Sequence, residues 1–185
     1  MLYRKFYDEL VKWHKQEKKL ALLIDGARQI GKTTLIRQFA KDYYGDNFVE
    51  INFINTPSAK EIFAGDISVD GIISKLTLFL RRPLTPHKTL IFFDEVQECL
   101  EVRTAIKFLV DDGRFDYIES GSLLGINYKE IKSYAVGYEE NRTMYPMDFE
   151  EFAIANGIQQ SIFDMLRDCY ERRVPVDEFV HKQMM

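Results

Sequence analysis

The sequence predicts an α/β protein: a mostly parallel central sheet between two helical layers, a three-layer sandwich. Two observations predict it. Leu20–Ile24 is apolar throughout, and so is Leu90–Phe93 within the strand-length segment 89–93; strands apolar on both faces belong in the middle of a covered parallel sheet. Segments of helical period alternate with these strand-like runs, the pattern of repeated strand–helix–strand units. With 185 residues the chain is long enough for one such domain, expected over 1–155, followed by a helical extension over 156–185.

The elements follow in order. Tyr3, Phe6, Leu10 and Trp13 recur at helical spacing among charged residues, so an amphipathic helix is expected over 2–17. The basic residues Lys15, Lys18 and Lys19 close it, where a helix C-terminus favours cations and where a solvated end explains them. Strand Leu20–Ile24 leads through a glycine-bounded loop into a helix over Thr33–Tyr43. Phe48–Phe53 alternates and reads as the second strand. Thr, Pro and Ser in 55–65 indicate a loop with a short helix. Val69–Leu80 is helical in period and stops at Arg81-Arg82-Pro83, a basic turn left to solvent. The strand over 89–93 is followed by a helix over Val102–Val110 with Gly113 as its cap, then a short strand from Tyr117 to Ser120. Residues 126–141 are polar and irregular. Thr143–Tyr145 is the expected last strand. Helices are expected over Phe149–Ala155, Ser161–Arg172 and from Val176 onward, broken by Gly157 and Pro175.

Composition narrows the function. A net charge of −4 provides no general attraction for nucleic acid. No run approaches the ~20 apolar residues of a membrane span, and the charged N-terminus lacks the apolar core of a signal peptide, so a cytoplasmic protein is expected. Cys99 and Cys169 match no metal or redox spacing and are expected to be reduced thiols.

The first segment with specific chemistry is Gly26-Ala27-Arg28-Gln29-Ile30-Gly31-Lys32-Thr33, which fits G-x-x-x-x-G-K-[ST] at every fixed position. Such a loop wraps anionic phosphates with its backbone N–H groups. Gly26 and Gly31 permit backbone angles and close approaches that a Cβ blocks. The helix that starts near Lys32 points its positive end at the same phosphates. Lys32 is the point charge for the β- and γ-phosphates, Thr33 the hydroxyl for Mg²⁺, and Thr34 a contact to the α-phosphate. Arg28 and Gln29 face either nucleotide or solvent.

Leu90-Ile91-Phe92-Phe93-Asp94-Glu95 delivers two carboxylates at a strand end. Asp94 is placed to orient water around Mg²⁺, and Glu95 to polarise the water that attacks the γ-phosphate. Gln97 is a further polar candidate beside them, or part of a solvated loop. Ser120 and Ser122 end the next strand. In P-loop ATPases a polar side chain on the strand between the phosphate-loop and acidic strands senses the γ-phosphate, and either serine can serve; a turn of turn-forming residues accounts for them equally. Arg142 is either a surface arginine or a positive charge for the transition state. Arg172-Arg173 reads as solvated.

GARQIGKTT, LIFFDEVQE, ESGSLLG and YPMDFEEF, in that order, resemble the motifs of a large prokaryotic family of AAA-like P-loop ATPases. Its members show G-A-R-Q-x-G-K-T, an apolar strand with D-E-[IV]-Q, a T/S-G-S turn and P-L-S-F-x-E-F. The resemblance covers about residues 1–160. It implies a sheet of the additional-strand, catalytic-glutamate type with order 5-1-4-3-2, ATP rather than GTP, and Glu95 as the catalytic glutamate. The chain also lacks an N-K-x-D guanine-reading motif. Met147-Asp148 stands where Leu-Ser is usual. Members of the family continue into a second domain, so 156–185 is expected to begin one, and the missing domain or a separate protein is the expected partner.

Three functions are consistent with these motifs. The first is Mg-ATP hydrolysis at Gly26–Thr34 with Glu95 as the activating group. The second is an ATP-dependent switch with little hydrolysis. The third is a small-molecule kinase, which the Asp94-Glu95 pair disfavours.

Overall fold

The computed structural model of the chain describes residues 2–121 and 137–184. These divide into two compact units, one of Phe6–Pro146 and one of Met147–Met185 together with Met1–Lys5.

The first unit is built on a five-stranded sheet of β1 (Ala21–Asp25), β2 (Phe48–Asn52), β3 (Leu90–Asp94), β4 (Asp116–Ser120) and β5 (Glu139–Thr143). All neighbouring strands run parallel, in the order β2-β3-β4-β1-β5. Read from the other edge this is 5-1-4-3-2, the expected order. Strands β1 and β3 are buried along their whole length, as their apolar runs require of inner strands. Strand β2 alternates between buried and half-buried, the signature of an edge.

Each face of the sheet has its own apolar cluster. On one face Leu22, Ile24, Leu90, Phe92 and Ile118 pack against α1 (Phe6–His14) and α2 (Lys32–Tyr43). On the other, Ala21, Leu23, Ile91, Phe93 and Tyr117 pack against α3 (Val69–Leu80), α4 (Leu100–Asp112) and the 3₁₀ turn Pro57–Phe63. Alternate strand residues therefore serve different helical layers, the direct result of the two-residue period of a strand. Helix α1 is anchored by Leu10 and Trp13, both buried, and the Trp13 Nε1–H donates to the Leu20 carbonyl at 2.8 Å. Helix α3 begins at Ser68, whose hydroxyl accepts from the Gly71 N–H, and stops at Arg81, left-handed with φ 54°. Arg82 then donates to the carbonyls of Asp46 and Phe48, so this arginine ties down the start of β2 rather than standing free in solvent. Helix α4 ends on Gly113 at φ 72°, the expected cap.

Two elements differ most from expectation. The amphipathic helix covers Phe6–His14 rather than 2–17. The last strand is Glu139–Thr143 rather than Thr143–Tyr145. Its sequence, EENRT, has no apolar run to reveal it, because its polar side chains are satisfied by partners outside the strand: Glu139 by Arg103 of α4, Asn141 by Asp25, and Glu140 by Gln16.

The second unit contains α5 (Phe149–Ala155), α6 (Gln160–Arg172) and α7 (Glu178–Met184). Helix α5 starts in a reciprocal cap: the Glu151 N–H donates to Asp148 at 2.8 Å and the Asp148 N–H to Glu151 at 3.1 Å. Residues near the N-terminus complete the unit through ion pairs: Lys5 with Asp148 at 2.7 Å and Glu150 at 2.6 Å, and Arg4 with Glu151 at 3.3 Å. Phe149 and Phe163 meet edge to face at 6.3 Å.

Candidate functional site

The carboxyl ends of parallel strands are where α/β sheets bind ligands, and here those ends are polar. Strand pairing sets Asn52 opposite Asp94 and Asp94 opposite Ser120. These three residues end β2, β3 and β4 on the face that carries α2, because each lies an even number of positions beyond a residue packed there. Asp94, 3% exposed, collects the row. Its Oδ2 accepts from Asn52 Nδ2 at 2.8 Å and from the Thr33 hydroxyl at 3.2 Å. Its Oδ1 accepts from the Ser120 hydroxyl. Asn52 is itself fixed, since its Oδ1 accepts from the N–H groups of Ile54 and Asn55 at 3.0 and 2.8 Å.

The loop between β1 and α2 closes the site. Gly26 has φ 141°, and a Cβ there would lie 2.2 Å from the Met144 carbonyl oxygen. Only glycine fits so close to the backbone that follows β5. Gln29 at φ 64° and Gly31 at φ 92° are also left-handed, and Gly31 caps α2 without any side-chain bond. The first N–H groups of α2 therefore open into the loop. Lys32 folds back to donate to the carbonyls of Gly26 and Ala27 at 3.0 and 2.7 Å. Burial pulls its ammonium below the ordinary lysine range, opposed by the charges of Glu95, Asp94 and Asp25. Ala27, Arg28, Gln29 and Thr34 are exposed along the loop, and Ile30 is half-buried.

Glu95 follows Asp94 in a left-handed conformation, φ 60°. Its carboxylate accepts from Gln97 Nε2, so Gln97 is a partner of Glu95 rather than a solvated neighbour. Ser120 reaches Asp94; Ser122 lies outside the described residues. Arg142 lies on the sheet face that carries α1, against Glu140 at 2.9 Å and Glu9 at 3.9 Å.

A hydroxyl and a carboxylate 3.2 Å apart, both hard oxygen donors, suit a magnesium ion that keeps most of its waters. Among the described residues no group of three His, Cys, Asp or Glu gathers for a transition metal. Both cysteines are free, and burial pushes the Cys99 thiol up to about 12.

Two features of the site went undetected in the sequence. Asn52 ends an ordinary alternating strand, and only its place opposite Asp94 gives it a role. Asp25, 3% exposed, sits on the other face of β1 and accepts from Asn141 Nδ2 at 3.2 Å. Its position directly before Gly26 was the one available signal.

A family model described as "AAA domain" matches residues 18–153. Among curated proteins none matches. Among solved structures, the chain is similar to the Pif1 helicase from Candida albicans, with 14% identity and a TM-score of 0.49 over 99% of this chain and 47% of that one. The chain thus spans about half the length of that helicase, and a likeness at this level speaks to neither substrate nor activity.

Proposed function

The chain belongs to the AAA domain family, nucleotide-binding P-loop ATPases in general, and from that premise we propose that it binds Mg-ATP at Gly26–Thr34, hydrolyses it to ADP and phosphate, and couples turnover to a conformational change. The observation that carries the proposal is the bond from the Thr33 hydroxyl to Asp94, which joins the loop to the acidic strand end.

In this reading the loop N–H groups and the N-terminus of α2 hold the phosphates. Lys32 exchanges its bonds to the Gly26 and Ala27 carbonyls for phosphate oxygens. Thr33 and Asp94 hold the magnesium ion, which when bound supplies positive charge to the phosphates. Asn52 and Ser120 orient Asp94, and Ser120 also senses the γ-phosphate. Glu95 positions the attacking water and takes its proton. A protein partner or a further domain receives the conformational change. Among the described residues no helix is long and apolar enough to cross a membrane.

A nucleotide switch with slow turnover is the second reading. It draws on the bond from Gln97 that occupies the Glu95 carboxylate; such a switch would hydrolyse ATP only when something released Glu95.

Steady-state phosphate release and nucleotide titration test the proposal on the full chain. Lys32→Ala is expected to lose ATP binding. Glu95→Gln is expected to keep binding and lose turnover by a factor on the order of 10²–10⁴. Turnover in Glu95→Gln equal to wild type would remove Glu95 from the reaction. A Gln97→Ala variant that hydrolyses ATP markedly faster than wild type would favour the switch.

A further inference from the structure

Beneath the site, on the face of the sheet away from α2, lies a cluster of buried charge that the proposed reaction does not use. Arg103 of α4 is 6% exposed and Glu119 of β4 fully buried, and Glu139 of β5 is nearly so. Arg103 Nη1 donates to both carboxylates, and Nη2 donates to Glu139 at 2.8 Å. Strands β4 and β5 are not neighbours; β1 runs between them, offering on this face Ala21 and Leu23. One guanidinium therefore spans the phosphate-loop strand and grips the strands on both sides. Glu119 directly precedes Ser120, so the strand's alternation places the gripped carboxylate on one face and the Ser120 hydroxyl, bonded to Asp94, on the other.

We infer that Arg103, Glu119 and Glu139 form a clamp that sets the position of β4 against β1 and thereby aims Ser120 at Asp94, making the three positioning residues for nucleotide turnover. The inference rests on the reading of Asp94 and Ser120 as parts of an ATPase centre.

The charge balance gives the clamp a measurable signature. Two carboxylates face one guanidinium. Burial, then the Glu119 charge, raises Glu139 to about 8, with Arg103 opposing. Among the described residues the charges that act on Glu139 are Glu119 from β4 and Arg103 from α4; Asp25 of β1, on the same face, is occupied with Asn141, and Lys107 lies one turn along α4 from Arg103. Below about pH 8 Glu139 carries a proton and the clamp is neutral. The unfolded chain releases that proton in the ordinary carboxyl range. The folded state therefore binds more protons between that range and about pH 8, and stability falls as pH rises through this window. Above it the two carboxylates repel and the grip on β4 loosens.

The test uses the full chain and Glu139→Gln, which is uncharged, close in shape to the protonated form, and keeps one oxygen to accept from Arg103. In the nucleotide-free protein, melting temperature is expected to fall from pH 6 to pH 9 in wild type and to fall less in Glu139→Gln. Parallel profiles would overturn the clamp whatever the protein does with ATP. Phosphate release at saturating Mg-ATP is then expected to fall about tenfold from pH 7 to pH 9 in wild type, with the fall reduced in Glu139→Gln and unchanged in the control Glu140→Gln, which alters the opposite face of β5. ADP affinity should move less than about twofold between Glu139→Gln and wild type, since positioning Ser120 acts on turnover. The same alkaline fall in both proteins would overturn the positioning role even if the melting profiles differ. Failure of the ATPase reading itself would show separately, as equal nucleotide binding by wild type and Lys32→Ala.

Discussion

Asp94 is a buried carboxylate held by three neutral donors, Asn52, Thr33 and Ser120. Such partners fix the direction of the oxygens that face a metal. Replacing Asn52 by alanine is expected to weaken the Mg²⁺ dependence of ATP binding by about 10–100-fold while leaving Mg-free nucleotide binding close to wild type, as magnesium titrations with a fluorescent nucleotide would show. Unaltered magnesium affinity would demote Asn52 to a turn former, since its Oδ1 also caps the chain at Ile54 and Asn55. Arg103 is a costly side chain to remove. Arg103→Met strands Glu119 and Glu139 together in the core, and breaking a buried pair by deleting one partner costs about 3–5 kcal/mol. Urea unfolding at pH 7 should show it, with a larger loss at pH 9, where Glu139 is ionised beside Glu119 in the wild type.

At the scale of elements, the phosphate loop depends on how closely it approaches the chain after β5. Gly26→Ala pushes a methyl into the Met144 carbonyl and requires φ near 141° of a residue with a Cβ. The expected result is a loop that no longer closes: nucleotide binding is lost, with destabilisation of about 1–3 kcal/mol by denaturant titration. A variant that binds ATP normally would show that the backbone gives way. In the second unit α5 depends on its first turn. Asp148→Ala removes both the cap to Glu151 and the Lys5 pair, and a lost cap costs about 1 kcal/mol. Amide exchange at the start of α5 should quicken accordingly.

At the scale of the whole molecule, acid is expected to act on the second unit through Glu150 and alkali on the first through Glu139. In the second unit Glu150 is held down to about 2, chiefly by its bond to Lys5. Its contribution is present above the ordinary carboxyl range and is lost as pH falls toward 2. In the first unit Glu139 makes the loss alkaline. Circular dichroism from pH 6 to 2 is expected to show an acid-induced drop in helicity in wild type, and Glu150→Gln should lose part of it. The sequence by itself determined the parts whose physics is local. Two apolar runs specified inner parallel strands. The fixed positions from Gly26 to Thr33 specified the loop, and Asp94-Glu95 at the end of an apolar strand specified the acids. Each requirement is met within a few consecutive residues, so reading them needs no knowledge of neighbours. Tertiary structure alone decided that Asn52 lies beside Asp94, that Ser120 reaches it, and that a strand as polar as EENRT pairs with β1. The reason is the crossovers of a parallel sheet. They bring together residues far apart in the chain, so a buried charge finds its partner through strand order, which no local pattern of residues expresses.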